Sequence, residues 1–275
     1  MTARPETIWR VPAYLPYLQP PLTQSAVAAA EERIGFRLPA AYLDLLRTQN
    51  GGYIRMALPE LAHDCISGIG PHFPSLTMFD WAKAQDHVGF PLQGLVPFDG
   101  DGHWYLCLDY REDAAAPSVS HIDIECDRQS VVAPSFAAYL ALLCFEEEED
   151  HYVLETTLDV EEVVARLSAA LGVPFDPPDA RTQSYPQHRA ALGNAERREW
   201  LWLSPNEVPR GFVRAGDPRY DELKDLLPGR ALRYPEAPAG CLLLAPTYSA
   251  RTRVVEACKA ARLPIRPLLD YLQDG

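Results

Sequence analysis

The chain has 275 residues, 47% of them hydrophobic, which is enough for two domains of ordinary size. Its formal net charge is −13, and residues 1–150 carry most of it, with 9 Lys and Arg against 21 Asp and Glu. Nucleic-acid binding needs basic side chains that neutralise phosphates, so this charge argues against direct nucleic-acid binding and favours a basic protein as partner.

Two short helices are predicted near the N-terminus. The first covers residues 23–35, begins at Thr23 or Ser25 and ends at Gly35. The second lies within residues 38–52, where apolar side chains recur at helical spacing. Its apolar stripe consists of Leu38, Tyr42, Leu45 and Leu46.

A strand pair is predicted in the middle of the first half. Residues 103–110 and 119–125 both alternate with a period of two, which is typical of antiparallel strands with one half-exposed face. We expect that face to present carboxylates to water. A short helix is weakly indicated over residues 76–84.

The first half closes with a helix that starts near Pro134 and runs towards the acidic segment 146–150. Negative charge at a helix C-terminus opposes the helix dipole, so this segment is interpreted as a solvated domain boundary. The predicted domains are therefore residues 1–150 and 151–275.

The second half alternates helices and strands, which predicts a smaller α/β or α+β module. The predicted elements are a helix over 158–172, a strand over 199–204, a short helix over 218–227, a strand over 240–248 and a helix over 250–263. Trp200 and Trp202 lie on the same side of their strand, and we interpret them as core residues rather than as an exposed platform.

Asp99-Gly100-Asp101-Gly102 resembles the start of a calcium loop. With Asp99 in the first position, Trp104 stands where the loop needs glycine and Tyr110 where it needs glutamate. The stretch is therefore interpreted as an Asp-Gly turn that leads into a strand. Asp123 and Glu125 would lie about 7 Å apart on one strand face, as an acid/base pair or as a solvated polar face.

No catalytic residue, metal site or cofactor site is predicted. The sequence has no H-E-x-x-H motif and no glycine-rich phosphate loop, and its six cysteines include no C-x-x-C pair. Cys107 and Cys144 are expected to pack rather than to react. The N-terminus lacks the apolar core of a signal peptide, and no apolar run could span a bilayer, so we expect a cytoplasmic protein without membrane contact.

Three motifs in a fixed order resemble the SUKH superfamily, the domain of fungal Smi/Knr-type cell-wall regulators and of many bacterial immunity proteins. They are IGFRLPAAYLDLLRTQNGG after Glu31 or Glu32, LVPFDGDGHWYLCLDY, and Pro117 followed by IDIE and VVAPSFAAYLALL. The resemblance covers about residues 24–143. It implies an α+β fold, with a mostly antiparallel sheet packed by helices, and no catalysis.

The resemblance and the acidic charge together predict a non-enzymatic immunity protein that neutralises a basic toxin, nucleases being one class. Asp99, Asp101, Asp123 and Glu125 are the candidate partner-binding residues, with Asp64, Asp80 and Asp86 as further candidates. Two alternatives stay open: an interaction scaffold in signalling or cell-envelope regulation, and a small enzyme domain in residues 151–275. The oligomeric state and the role of residues 151–275 are not predicted.

Overall fold

A computed structural model describes residues 8–59, 61, 63–82, 84–145, 151–178, 185–193 and 198–274. The chain forms two compact units, Met1–Glu146 (unit 1) and Glu147–Gly275 (unit 2). Each unit mixes helices with antiparallel sheets around a hydrophobic core of its own. The predicted α+β fold class is confirmed.

Unit 1 contains three helices and seven strands among its described residues. The helices are α1 (Gln24–Ile34), α2 (Ala40–Thr48) and α3 (Phe136–Leu142). The strands are β1 (Ala13–Tyr14), β2 (Gly52–Tyr53), β3 (Cys65–Ile66), β4 (Leu95–Gly100), β5 (Trp104–Asp109), β6 (Ser118–Asp123) and β7 (Arg128–Ala133).

The three helices of unit 1 begin where the sequence supplies a cap or a proline. Thr23 accepts a hydrogen bond from the Ala26 amide at the start of α1, and Ser135 does the same for Ala138 in α3. Gly35 ends α1 in the left-handed conformation, as the sequence predicts. The apolar stripe of α2 is buried, so the helix packs its predicted face into the core.

The main sheet of unit 1 is an antiparallel meander in the order β4-β5-β6-β7. Trp104 pairs with Asp123, and Asp123 pairs with Arg128, which fixes the register of the last three strands. The β4-β5 and β6-β7 turns therefore lie at the same end of the sheet. The β4-β5 ladder is irregular between Pro97 and Asp99.

Most side chains on both faces of β4, β5 and β6 are buried, so the prediction of a wet, carboxylate-bearing face is wrong for these strands, whereas residues 128–131 of β7 are exposed. One face carries Phe98, Leu106 and Val119 into the core beneath the helices. The other carries Cys107 and Ile122 into a second small cluster, which is covered by aromatic and aliphatic side chains between residues 81 and 92. The alternation of polar and apolar residues within two strands could not show that a distant, irregular segment buries the second face.

Two further expectations for unit 1 need correction. Residues 76–82 and 84 form turns and irregular structure instead of a helix, with a 3-10 turn following at Gln85–His87. Trp81 and Ala84 of this segment pack on the second apolar cluster, and Trp81 donates a hydrogen bond to the Leu95 carbonyl. Helix α3 ends at Leu142, ahead of the acidic segment 146–150, which lies outside the described residues.

Unit 2 is built on a five-stranded antiparallel sheet in the order β15-β8-β14-β10-β9, with a separate β11-β13 pair. Its strands are β8 (Tyr152–Leu154), β9 (His188–Ala191), β10 (Trp200–Pro205), β11 (Glu207–Pro209), β12 (Gly211–Phe212), β13 (Arg230–Leu232), β14 (Leu242–Pro246) and β15 (Ile265–Pro267). Its helices are α4 (Val160–Leu171), α5 (Tyr220–Leu223), α6 (Arg251–Ala260) and α7 (Leu268–Asp274). Because all these strand pairs are antiparallel, the module is α+β.

Trp200 and Trp202 do not belong to the helix-packed core of unit 2. Leu201 and Leu203 alternate with them and enter that core, so the tryptophans occupy the opposite face of the strand. Both are half-buried, their rings lie 6.4 Å apart, and the Arg189 guanidinium stands 4.5 Å from the Trp200 ring.

Candidate protein-binding site

Four acidic residues lie at the two hairpin turns that share one end of the unit 1 sheet. We call this set the acidic hairpin surface: Asp101 in the β4-β5 turn, and Asp123, Glu125 and Asp127 at the β6-β7 turn. Three of the four predicted binding residues, Asp101, Asp123 and Glu125, are therefore brought to one end of the sheet.

Two carboxylates of this surface are oriented by backbone N–H groups. Asp101 accepts hydrogen bonds from the His103 and Trp104 amides at 2.9 and 3.2 Å, and Asp123 accepts one from the Cys126 amide at 2.9 Å. Partial burial alone would raise the pKa of Asp101, but the backbone hydrogen bonds outweigh it and lower that pKa. The bond from Cys126 lowers the pKa of Asp123. Both carboxylates therefore stay negative down to lower pH than free aspartate.

The other two carboxylates are also held in place. Glu125 Oε1 lies 2.6 Å from Nδ1 of His103, and both side chains are 66% exposed. Asp127 Oδ1 accepts a hydrogen bond from the Gly89 amide at 2.7 Å. Sequence reasoning missed Asp127, although its place in a turn with positive φ suits a residue type that tolerates this conformation.

Asp99 is separated from the other three predicted residues. Its Oδ2 lies 2.5 Å from Nδ1 of His63, and only 11% of its side chain is exposed. Nε2 of His63 lies 2.5 Å from the hydroxyl of Tyr139, which is fully buried. Asp99 thus begins a hydrogen-bonded chain that runs into the core between β4 and α3.

The Asp99-His63-Tyr139 chain connects three distant segments of unit 1. Nδ1 of His63 pairs with the Asp99 carboxylate, and Nε2 of the same ring pairs with the Tyr139 hydroxyl. Nothing in the pattern around His63 marks it as a core residue. These hydrogen bonds pair all three side chains, and the Tyr139 hydroxyl is fully buried.

Asp109, at the end of β5, is a structural residue. It is 6% exposed, pairs with Arg111 at 2.7 Å and accepts a hydrogen bond from Ser120 at 2.8 Å. Burial would raise the pKa of Asp109, but the bonds from Arg111 and Ser120 outweigh it and lower the pKa.

Each of the further candidates has local surroundings of its own. Burial, followed by the nearby charge of Asp99, raises the pKa of Asp64. Asp80 caps its own turn by accepting from the Ala82 amide, and Asp86 lies in the 3-10 turn.

Metal and thiol chemistry have little support in the described part of the chain. No three His, Cys, Asp or Glu residues there are grouped as metal ligands, and none of its helices is long and apolar enough to cross a membrane. Cys107 is buried, as expected, and burial raises the pKa of its thiol. Cys144 is exposed instead of packed, because α3 ends two residues before it.

Residues 21–142 match the SMI1 / KNR4 family (SUKH-1). Unit 1 therefore carries a domain of this family, and the resemblance seen over residues 24–143 is confirmed. The match ends before unit 2 begins, and no family matches the rest of the chain. No curated protein matches the chain.

Proposed function

We propose that the chain is a non-enzymatic binding protein whose N-terminal domain binds a basic partner protein through the acidic hairpin surface. The observation that carries this proposal is the convergence of four hydrogen-bonded carboxylates at one end of one sheet. Asp99 is left out of this surface, because its carboxylate is 11% exposed and pairs with the buried His63.

The arrangement suits electrostatic recognition of a protein. The carboxylates already hold their positions in the free protein, so less side-chain freedom is lost on binding. Opposite charges also steer the encounter and suppress wrongly charged partners. Nucleic acids and anionic membranes are repelled by the same charge.

The partner class that we propose is a toxin, with basic nucleases as the leading candidates, and the chain would be the cytoplasmic immunity protein that neutralises it. A nuclease must hold a phosphate backbone in a basic cleft, and a surface of fixed carboxylates can occupy that cleft. The SMI1 / KNR4 family (SUKH-1) match of residues 21–142 supports an immunity-type or SMI1/KNR4-type role.

The test uses two variants of the full chain with equal charge. The hairpin variant carries D101N, D123N, E125Q and D127N; each substituted side chain keeps an oxygen that can accept the same hydrogen bond. The control variant carries D44N, D80N, E112Q and D113N and removes four charges elsewhere in unit 1.

A partner crosslinked to the chain in its native cell is purified, and its affinity is measured for the wild type and both variants. We expect the hairpin variant to weaken binding by about tenfold or more and the control variant by about twofold or less. Equal weakening by both variants would refute the hairpin surface as the binding site.

The role is then tested by expressing the partner alone and together with the chain. Growth arrest by the partner and rescue by the wild-type chain would support the immunity role. Several harmless partners would favour the scaffold alternative, and conversion of a partner or metabolite that requires unit 2 would favour the enzyme alternative.

A further inference from the structure

The end of α1 and the loop that follows form an open cleft of about 430 Å³. It is lined by Ala28, Glu31, Glu32, Gly35, Phe36 and Arg37, none of which belongs to the acidic hairpin surface. Its volume falls within the range of small-ligand sites.

The charge of the cleft favours a cation. Glu31 and Glu32 against Arg37 leave its lining with a net negative charge, and the Glu31 side chain is only 11% exposed. The cleft also lies at the C-terminus of α1, where free carbonyl groups give the helix its negative end. The Oε1 atom of Glu31 accepts a hydrogen bond from the Leu38 amide at 3.0 Å, which fixes this carboxylate in place.

One wall of the cleft is a fixed aromatic ring. Phe36 stacks on Tyr110 with ring centroids 4.3 Å apart and planes 12° apart. Tyr110 in turn donates a hydrogen bond to the Arg37 carbonyl at 2.8 Å, which ties the loop to the sheet. Guanidinium groups stack on such rings more readily than ammonium groups do.

The guanidinium of Arg37 is already paired with the Glu31 carboxylate. Arg37 Nη1 lies 2.5 Å from Glu31 Oε2, although 85% of the Arg37 side chain is exposed. Arg37 therefore holds the site with its tip alone, and an incoming side chain that also covers Phe36 would make more contacts.

We infer that this cleft binds an arginine side chain presented by the partner and that Arg37 is an internal stand-in that the partner displaces. The identification of the ligand as part of a protein rests on the proposed function. The preference for a guanidinium rests on the cleft alone.

The cleft is tested on the full chain without a partner. Nα-acetyl-L-arginine amide is titrated in, and its uncharged isostere Nα-acetyl-L-citrulline amide serves as control. Backbone amide NMR signals of residues 35–38 report binding. We expect saturable shifts with the arginine probe and none with the citrulline probe.

Substitutions then identify the groups that act. E31Q keeps an acceptor for the Leu38 amide, so E31Q/E32Q is expected to fold and to lose the saturable shifts. R37Q removes the internal competitor and should tighten probe binding about two- to fivefold, whereas R47Q removes the same charge from α2 and should leave it unchanged. Equal responses to both probes, unchanged binding in E31Q/E32Q, or no gain in R37Q would overturn the inference.

The two proposals fail separately. If the probe does not bind but the hairpin variant still loses its partner, only the cleft inference is wrong. If the probe binds but neither the hairpin variant nor E31Q/E32Q weakens the partner complex, the proposed function is wrong and the cleft serves a free guanidinium ligand.

Discussion

At the scale of single residues, the buried Asp99-His63-Tyr139 chain shows how a polar group becomes part of a core. His63 is 4% exposed, and both of its ring nitrogens have partners at 2.5 Å. A buried polar atom costs free energy unless it is paired. The acidity of Asp99 therefore serves the fold.

Substituting Tyr139 by Phe should expose this dependence. The ring can still pack on Phe98 and Phe136, but Nε2 of His63 loses its partner. We expect Y139F to lower the free energy of unfolding by about 1–3 kcal/mol in urea denaturation of the full chain. Y248F, at a site that is 73% exposed, should have no effect, and an unchanged midpoint in Y139F would contradict the assignment.

The Asp109-Arg111 pair should make stability depend on pH. The pKa of Asp109 is lowered in the folded protein, so its contribution is complete above the unfolded value of about 3.9 and is lost as pH falls through the folded value. D109N should be less stable than wild type near neutral pH, by about 1–3 kcal/mol. The difference should shrink below about pH 4.

Denaturation curves from neutral pH to about pH 2.5 check this sign. D113N changes an exposed carboxylate in the loop that follows, keeps an oxygen for the Ala115 and Ala116 amides, and should be about as stable as the wild type near neutral pH. A D109N deficit that stays constant across the range would mean that packing, not charge, makes Asp109 necessary.

At the scale of elements, the exit of α2 is clamped to the loop that follows β3. Asn50 is 6% exposed, donates to the carbonyls of Pro20 and Ile69, and accepts from the Ile69 amide. Gly68 lies so close that a Cβ there would stand 2.4 Å from the Asn50 carbonyl oxygen. The Asn-Gly-Gly exit that resembles the family motif is therefore needed for close packing as well as for a turn.

G68A should break this clamp. The new methyl group would clash with the backbone of Asn50. We therefore expect the free energy of unfolding to fall by about 1–3 kcal/mol or more, which lowers the thermal midpoint. G216A places a methyl group in open space without positive φ and should be neutral. A G68A protein as stable as G216A would show that the loop yields without cost.

Local sequence signals predicted most helices and strands, but they did not predict which segments bury the faces of the sheet. Capping residues and apolar periodicity gave α1, α2 and α4, and alternation gave β5, β6 and β10. The segment that covers the second face of the unit 1 sheet has no periodicity, because its side chains are placed by contacts with residues far along the chain. The same limit applies to the site: turn chemistry identified Asp101, but only tertiary structure could separate it from Asp99.

At the scale of the whole molecule, the two halves of the chain differ in charge. The first 150 residues hold most of the excess acid, whereas the remainder is close to balanced, with 16 Lys and Arg against 17 Asp and Glu. A protein that works by electrostatic encounter needs such an excess on the binding unit alone. Long-range attraction then orients that unit before contact.

Salt should therefore act mainly on association. Between about 20 mM and about 300 mM salt the Debye length falls severalfold, so we expect the association rate constant with the partner to drop about tenfold or more. The dissociation rate constant should change far less, because contacts already formed are screened less. Stopped-flow fluorescence measures both.

The hairpin variant and the equally charged control variant separate local steering from net charge. If steering comes from the acidic hairpin surface, the hairpin variant should associate slowly at low salt and show a shallow salt dependence, while the control variant keeps most of the wild-type slope. If both slopes fall equally, the attraction arises from total charge and the hairpin turns do not direct it. If the association rate constant of the wild type does not depend on salt, electrostatic attraction does not drive the encounter. Exposed carboxylates that attract a partner are necessarily screened by salt.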